Sequence, residues 1–255
     1  MTFLERGYVI APADDPVALV RIRELVATTA AAALGDPAPA DAGAYLDDAG
    51  SRIDPARVND VRLHVIAAIE REPWFRASYY ACGRKLVDEI VGNELAIQRS
   101  VGFSIQLPGD ASSVLPLHSD AWSEDSPFEA VLWIPLVDCY RTKSMFILPR
   151  ERDVRWRDRV HEFERGGVEA LFQAVENDVE YLDVPFGSVL LFTHTLMHGN
   201  RVNRETTARW SLNVRFKGLF TPYADKRLGD FFEPLSIRPL TRIGLDHRYP
   251  AGFHE

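Results

Sequence analysis

The sequence predicts a mostly β fold with helices, in which a jelly roll packs on a buttress of N-terminal helices. Helical spacing of apolar residues dominates up to residue 91, and after Gly92 and Asn93 the chain changes to short runs of β-type residues. Turn-forming triplets separate these runs, as in PGD at 108–110 and PFG at 185–187. The length of 255 residues fits one domain, 1–255, with the helical buttress at 1–93.

The buttress is expected to contain one strand and three helices. β-type residues predict the strand at 3–10, and Asp15 before Pro16 indicates the start of a helix over 17–34. The segment 37–51 is rich in Pro, Asp, Ala and Gly and is expected to be a loop. Amphipathic spacing then predicts two further helices, at 60–71 and 74–91.

The jelly-roll core is expected at 94–217, followed by a C-terminal extension at 218–255. One stretch near 153–177 has helical spacing and mixed charges, and we interpret it as a surface insertion whose charges face solvent. Alternation and β-branched content predict the strands of the core at 95–107, 129–137, 144–148, 179–184, 188–193 and 209–217.

The overall charge argues against two classes of partner. A net charge of −8 and a pI of about 5.4 disfavour nucleic acid and anionic membranes, so a small molecule is the expected partner. The two cysteines, Cys82 and Cys139, are too few for a disulfide framework and are expected to be reduced. Because the N-terminus lacks a signal-peptide pattern, we expect the protein in the cytoplasm.

The segment LPLHSD at 115–120 carries the first candidate ligands. His118 and Asp120 lie two positions apart, and side chains of an extended segment alternate, so both point to the same side. Two such side chains are able to bind one metal ion. A His-x-Asp triplet is common by chance, so a third ligand is needed to give it meaning.

A histidine after the apolar strand 188–193 supplies that third ligand. His198 is the preferred candidate, and His194, four positions earlier, is interpreted as a supporting or core histidine. Two histidines and one carboxylate leave open positions on a metal, an arrangement that suits iron(II) and oxygen chemistry.

Arg209 and Ser211 form the next pair. They lie two apart on a predicted strand, eleven and thirteen positions after His198, and are therefore able to face one cavity. The planar guanidinium binds a carboxylate through two parallel hydrogen bonds, and a neighbouring hydroxyl adds another. This pair fits a cosubstrate that has a distal carboxylate and binds the metal through a 2-oxoacid.

The order HxD, then HGNRVN at 198–203, then RWS at 209–211 resembles the phytanoyl-CoA dioxygenase-like branch of the Fe(II)/2-oxoglutarate oxygenases. Phrases such as LPLHSDAW and PFGSVLLF are similar to oxygenases of bacterial carbohydrate and aminoglycoside gene clusters, including streptomycin-type pathways. The resemblance implies a double-stranded β-helix, cupin-like fold and the use of Fe(II), 2-oxoglutarate and O2.

The resemblance also implies roles for individual residues. His118, Asp120 and His198 would bind the iron and be the catalytic centre. The cosubstrate would be held by Arg209, Ser211, Gln106 and Asn200. The last of these stands where many relatives have serine.

The substrate is expected to be a sugar or an aminoglycoside, oxidised by hydroxylation or by oxidative cyclisation or epimerisation. The acidic residues Glu124, Asp125 and Glu129 are candidates to bind ammonium groups of an aminoglycoside. Arg215 belongs to a basic group near the expected mouth of the barrel, which is a candidate either for anionic substrates or for pairing with these same acidic residues. Two alternatives stay open: a sugar-binding jelly-roll module without redox activity, and a non-redox metal-dependent sugar epimerase or isomerase.

Overall fold

A computed structural model of the chain describes residues 2–249, so Met1 and the last six residues of the predicted C-terminal extension lie outside the described residues. The helices are α1 (Phe3–Arg6), α2 (Pro16–Leu34), α3 (Ala42–Asp47), α4 (Ala49–Arg52), α5 (Val58–Glu70), α6 (Phe75–Cys82), α7 (Arg84–Ile90), α8 (Arg150–Arg157), α9 (Gly167–Val175) and α10 (Pro239–Asp246). The strands are β1 (Tyr8–Pro12), β2 (Leu95–Gln98), β3 (Gly102–Gln106), β4 (Glu129–Pro135), β5 (Phe146–Ile147), β6 (Glu180–Tyr181), β7 (Ser188–Thr193), β8 (His198–Gly199), β9 (Arg209–Gly218) and β10 (Phe232–Ser236). Short 3-10 turns lie at Pro55–Arg57, Asp120–Ser123, Arg141–Lys143 and Val160–Phe163.

Two antiparallel sheets form the centre of the molecule. The larger has seven strands in the order β1-β7-β4-β9-β2-β10, with β3 also paired to β9, and the smaller has the order β6-β5-β8. Every residue of β4 is buried, because this strand lies inside the large sheet and is covered on both faces. The predicted mixture of antiparallel strands and helices is confirmed, and β10 extends the large sheet with residues from the expected C-terminal extension.

The N-terminal helices pack on the large sheet and share one hydrophobic core with it. α2 buries Leu19, Ile22 and Val26 against α5 and α6. Tyr79 of α6 is fully buried and donates its hydroxyl hydrogen bond to the carbonyl of Leu132 in β4 at 2.6 Å. Every helix within residues 2–249 is too short or too polar to cross a lipid bilayer.

Three N-terminal predictions were wrong in detail. The strand expected at 3–10 begins as helix α1, because Thr2 and Glu5 form a capping box, and Gly7, at φ 76°, ends that helix before β1. The loop expected at 37–51 contains α3 and α4, and the Asp41 carboxylate caps the first of them by accepting from the Ala44 backbone N–H at 3.0 Å. The helix expected at 74–91 is broken at Gly83. A side chain at Gly83 would meet Leu132, so the missing Cβ allows the close approach of helix and sheet.

The predicted insertion near 153–177 forms α8, a 3-10 turn and α9. α9 buries Leu171, Phe172 and Val175 against Phe146 and other residues of a second, smaller hydrophobic cluster. Its charged residues mostly face solvent, as expected. Asp153 is the exception, because it is buried and accepts a hydrogen bond from the backbone N–H of Met197 at 3.0 Å.

Candidate metal centre

A two-residue antiparallel bridge brings His118 and His198 together. The backbone N–H of His118 donates to the carbonyl of His198 at 2.9 Å, and the reverse bond is 2.8 Å. Side chains of directly paired residues lie on the same face, and here the ring centroids are 4.3 Å apart. The main chain therefore fixes the relative position of the two imidazoles.

Local carbonyls set the tautomer of both rings. Nδ1 of His118 lies 2.9 Å from the Pro116 carbonyl, and Nδ1 of His198 lies 2.9 Å from the Leu196 carbonyl. Because a carbonyl only accepts, each Nδ1 carries a proton, and each Nε2 keeps its lone pair in the neutral ring. Burial, together with the nearby His118, lowers the pKa of His198 to about 4 and keeps it neutral at physiological pH.

Asp120 completes the group. Its Oδ1 lies 3.5 Å from Nε2 of His118, and the ligand atoms of Asp120, His118 and His198 all lie within 4.8 Å of one another. Burial opposes ionisation of Asp120, but the neighbouring imidazole of His118 and the guanidinium of Arg215 lower its pKa well below the usual range. The structure thus brings the three predicted ligands together as two imidazole nitrogens and one carboxylate.

His194 lies behind this group. The ring is fully buried, and its Nε2 donates to the carbonyl of Ser126 at 2.7 Å. Its Nδ1 has no hydrogen-bond partner and lies 4.0 Å from Oδ2 of Asp120 and 3.9 Å from Oε2 of Glu129. His194 therefore supports the back of Asp120, and it is not among the described residues that line the neighbouring cavity.

A second cluster of possible ligand atoms consists of Asp125, Glu129 and His194. Cations of the chain already occupy it. Nη1 of Arg215 lies 2.9 Å from Oδ2 of Asp125 and 3.8 Å from Oε2 of Glu129, and Lys226 binds the same Asp125 oxygen. Electrostatic repulsion from these cations disfavours a divalent ion here. Asp125 and Glu129 are buried and face these basic groups, so they are not placed to meet the ammonium groups of a substrate.

The three grouped ligands open onto a cavity of about 210 Å³ that is lined by residues from both sheets. Its apolar lining residues are Leu115, Val131, Trp133, Met145 and Phe192. Its polar lining residues, besides the three ligands, are Ser104, Ser113, Asn200, Arg209, Ser211, Asn213 and Arg215.

Arg209 is a buried cation in this cavity. Arg209 is 3% exposed, and its Nη2 donates a hydrogen bond to the Ser104 hydroxyl at 3.0 Å. Its Nε and the hydroxyl of Ser211 have no partner, and no acidic residue within 2–249 pairs with the guanidinium. Burial lowers the pKa of Arg209 to about 10, which leaves it charged at neutral pH. A buried charge is costly unless it is paired, so this end of the cavity is built to receive an anion.

The other two residues predicted to hold the cosubstrate, Asn200 and Gln106, differ in their relation to the cavity. Asn200 lines the cavity, and its side-chain oxygen accepts from the backbone N–H of Leu115 at 2.8 Å. Gln106 is buried opposite Arg209 in the β3–β9 register, donates its amide to the carbonyl of Arg201, and does not line the cavity. The unpartnered Gln106 Oε1 is also buried.

Ser104 and Arg215 both line the cavity. Ser104 was not among the predicted site residues, and Arg215 was expected near the mouth of the barrel. Ser104 lies directly opposite Ser211 in the β3–β9 register, two positions before Gln106, so strand alternation would have identified it once that pairing was known. Arg215 lies on the same face of β9 as Arg209. Its Nη2 is 3.0 Å from Oδ2 of Asp120, which is a contact inside the site and not at the barrel mouth.

The sequence matches no family model and no curated protein. The structure, in contrast, is similar to the nickel complex of ThoJ, described as a non-heme monooxygenase, with 15% identity and a TM-score of 0.51 over 85% of this chain and 75% of that chain. It is similar to AviO1 from Streptomyces viridochromogenes, with 15% identity and a TM-score of 0.52 over 87% of this chain and 94% of that chain. It is also similar to HygX from Streptomyces hygroscopicus with nickel and 2-oxoglutarate bound, with 15% identity and a TM-score of 0.51 over 86% of this chain and 85% of that chain.

At this level of identity the similarity establishes the fold. The chain has a fold similar to that of ThoJ over most of its length. It shares that fold with AviO1 and HygX over most of its length. The predicted resemblance is confirmed at this level.

Proposed function

We propose that the protein is a non-haem Fe(II)/2-oxoglutarate-dependent dioxygenase that oxidises a C–H bond of a small polar substrate. One observation carries the proposal: a His-Asp-His group and a buried, unpaired arginine line the same cavity. A metal ion that binds one end of a dicarboxylate needs such a cation for the other end. HygX, which shares the fold, was solved with nickel and 2-oxoglutarate, and this supports the assignment.

His118, Asp120 and His198 are the proposed iron ligands. Two neutral imidazoles and one ionised carboxylate are a donor set that suits Fe(II) and leaves coordination positions open. The Nδ1–carbonyl hydrogen bonds hold both rings with Nε2 free, and Arg215 holds the carboxylate. The bound iron would supply the one-electron oxygen chemistry that protein side chains lack.

Arg209 is the proposed partner of the distal carboxylate of 2-oxoglutarate. The free Ser211 hydroxyl and the Ser104 hydroxyl lie beside it, and both are able to donate to carboxylate oxygens. We also propose that Asn200 and Gln106 help to hold 2-oxoglutarate. Asn200 lines the cavity, and Gln106 pairs with Arg209 in the β3–β9 register. The aromatic side chains of Trp133 and Phe192 form part of the apolar wall of this pocket.

The proposed substrate is a sugar-like molecule, because the wall of the cavity offers hydroxyls and amides next to apolar surface. We also propose that the two sheets form a double-stranded β-helix, in which side chains from both sheets line one cavity. The reaction is hydroxylation or a related oxidative cyclisation or epimerisation.

A non-redox epimerase or a sugar-binding module explains the metal ligands and the polar wall. Neither explains why a buried arginine without an acidic partner lines the same cavity as the metal ligands. The dioxygenase proposal accounts for both features at once.

The decisive experiment is a titration of 2-oxoglutarate into anaerobic protein loaded with iron(II). We expect a visible charge-transfer band that saturates, and on admission of O2 we expect 2-oxoglutarate to be converted to succinate. Succinate itself is the matched control ligand, because it has the distal carboxylate but no 2-oxo group. An iron-loaded protein that shows no band and forms no succinate would instead support the epimerase or sugar-binding alternative.

A further inference from the structure

A surface groove continues from the cavity toward the N-terminal buttress. The cavity and the groove share the lining residues Ser104, Ser113, Leu115 and Asn213. On its far side the groove is lined by the first turns of α5 and by the 3-10 turn before it, through Pro55, Val58, Asn59 and Arg62. A molecule that reaches the metal ligands from this side therefore contacts α5, a helix that was predicted to belong to the structural buttress.

Two side chains of α5 offer hydrogen-bond donors to this groove. Nε and Nη2 of Arg62 donate to the side-chain oxygen of Asn59, at 3.2 Å and 2.7 Å. These bonds orient the guanidinium and leave its Nη1 and the Asn59 amide nitrogen for other acceptors. No acidic residue within 2–249 pairs with Arg62. The groove is therefore complementary to oxygen acceptors.

Most of the charged side chains that line the cavity and the groove are positive. Within residues 2–249, the one carboxylate that lines the cavity or the groove is Asp120, and Arg215 already binds it. The positive side chains along the path are Arg62, Arg209 and Arg215. An ammonium group would find no free anion here and would be repelled by the guanidinium groups.

We propose that this groove binds the part of the substrate remote from the oxidised carbon, and that the substrate is rich in hydroxyls and carries no positive charge. Asn59 and Arg62 are specificity residues in this proposal. Val114 and Leu115 supply apolar surface for the carbon face of a ring. The inference rests on the proposed function for the identity of the reaction, but the charge preference of the groove is measurable without it.

The test uses hydroxyl-rich ring compounds in matched sets: the parent sugar, its amino analogue and its phosphate ester. Binding to protein in EDTA is measured by saturation-transfer NMR, so that neither metal nor turnover is needed. We expect the parent and phosphate forms to bind and the amino forms to bind about tenfold more weakly. Arg62→Glu should reverse this order, whereas Arg71→Glu, an exposed position at the end of the same helix outside the groove, should leave it unchanged.

Three results would overturn the proposal: amino forms that bind wild-type protein as well as the parent sugars, an order of affinities that Arg62→Glu does not change, or no binding by any of the three forms. Succinate release is then measured with the same compounds. If the order of affinities holds but no succinate forms, the proposed function fails while the groove assignment stands. If an amino form supports the fastest succinate release, the groove assignment fails while the function stands.

Discussion

Arg215 holds one oxygen of the Asp120 carboxylate, while the other faces the histidines. Nη2 of Arg215 lies 3.0 Å from Oδ2 of Asp120, and Oδ1 of Asp120 lies 3.5 Å from Nε2 of His118. The same guanidinium is braced by Asp125, whose Oδ2 lies 2.9 Å from Nη1. The orientation of the candidate metal ligand is therefore set by a strand, β9, that carries no ligand itself.

Removing this brace should weaken metal binding. We expect Arg215→Gln to lower the affinity for cobalt(II) about 10- to 100-fold, because the Asp120 carboxylate loses its orientation. A competition titration against a coloured chelator measures the change. Arg201→Gln breaks an exposed ion pair with Glu169 and is the matched control. Equal affinities for the two variants would mean that Arg215 does not position the ligand.

Substitution of the two histidines that follow β7 should have different effects on metal binding. His198→Ala removes a proposed ligand and should abolish binding of one iron per anaerobic chain. His194→Ala removes a ring that bonds to the Ser126 carbonyl and should leave the stoichiometry at one, with some loss of stability. Metal content after desalting is the measurement. The opposite pattern, with iron lost from His194→Ala and kept by His198→Ala, would show that the ligand assignment is wrong.

Arg209→Lys should weaken 2-oxoglutarate binding without affecting iron. Lysine keeps the charge but cannot make two parallel hydrogen bonds, so the Kd should rise by roughly one to two orders of magnitude. The charge-transfer titration reports this Kd. Arg204→Lys, at an exposed position before the same strand, is the control. A Kd unchanged by Arg209→Lys would remove this residue from the cosubstrate pocket.

Glu129 should make the stability of the metal-free protein depend on pH. Burial raises its pKa from the ordinary 4.5 to about 7, so the folded chain binds this proton more tightly than the unfolded chain. The stabilisation is complete below pH 4.5 and is lost as the pH rises toward 7, a change of roughly 3 kcal/mol. Histidines titrate in the same range, so the difference between variants isolates Glu129: in urea unfolding between pH 5 and 8, wild type should lose stability relative to Glu129→Gln as the pH rises. Parallel curves would contradict the assignment to Glu129.

Local spacing predicted which side chains of the candidate site share a face, because alternation along an extended chain is a local rule. His118 and Asp120 are two apart around the extended Ser119, and Arg209 and Ser211 are two apart on β9, so the side chains of each pair lie on one face. Arg215 obeys the same alternation, but its partner Asp120 is distant in sequence and meets it only through the folded sheets. Asp125 and Glu129 were candidates to bind ammonium groups for the same reason: their burial against Arg215 is a tertiary feature that local sequence does not contain.

For the fold as well, features set by a local pattern were predicted better than those that depend on tertiary contacts. β7 was predicted at its observed bounds because it is a continuous apolar run between clear turn signals. The helix at Phe3–Arg6 was missed although Thr2 and Glu5 have the capping-box spacing, since the β-type residues after Gly7 dominated the pattern. The break at Gly83 depends on the close approach of Leu132, which no local pattern contains.

The depth of Arg209 has a kinetic consequence. Arg209 is 3% exposed and lines the cavity, whereas Ser113 and Leu115 lie where the cavity meets the groove. A substrate seated in that groove would cover the route to Arg209 from this side. We therefore expect a compulsory order in which 2-oxoglutarate arrives first. Excess substrate should then trap protein that has not yet taken up its cosubstrate, and initial rates should fall at high substrate and recover as 2-oxoglutarate is raised.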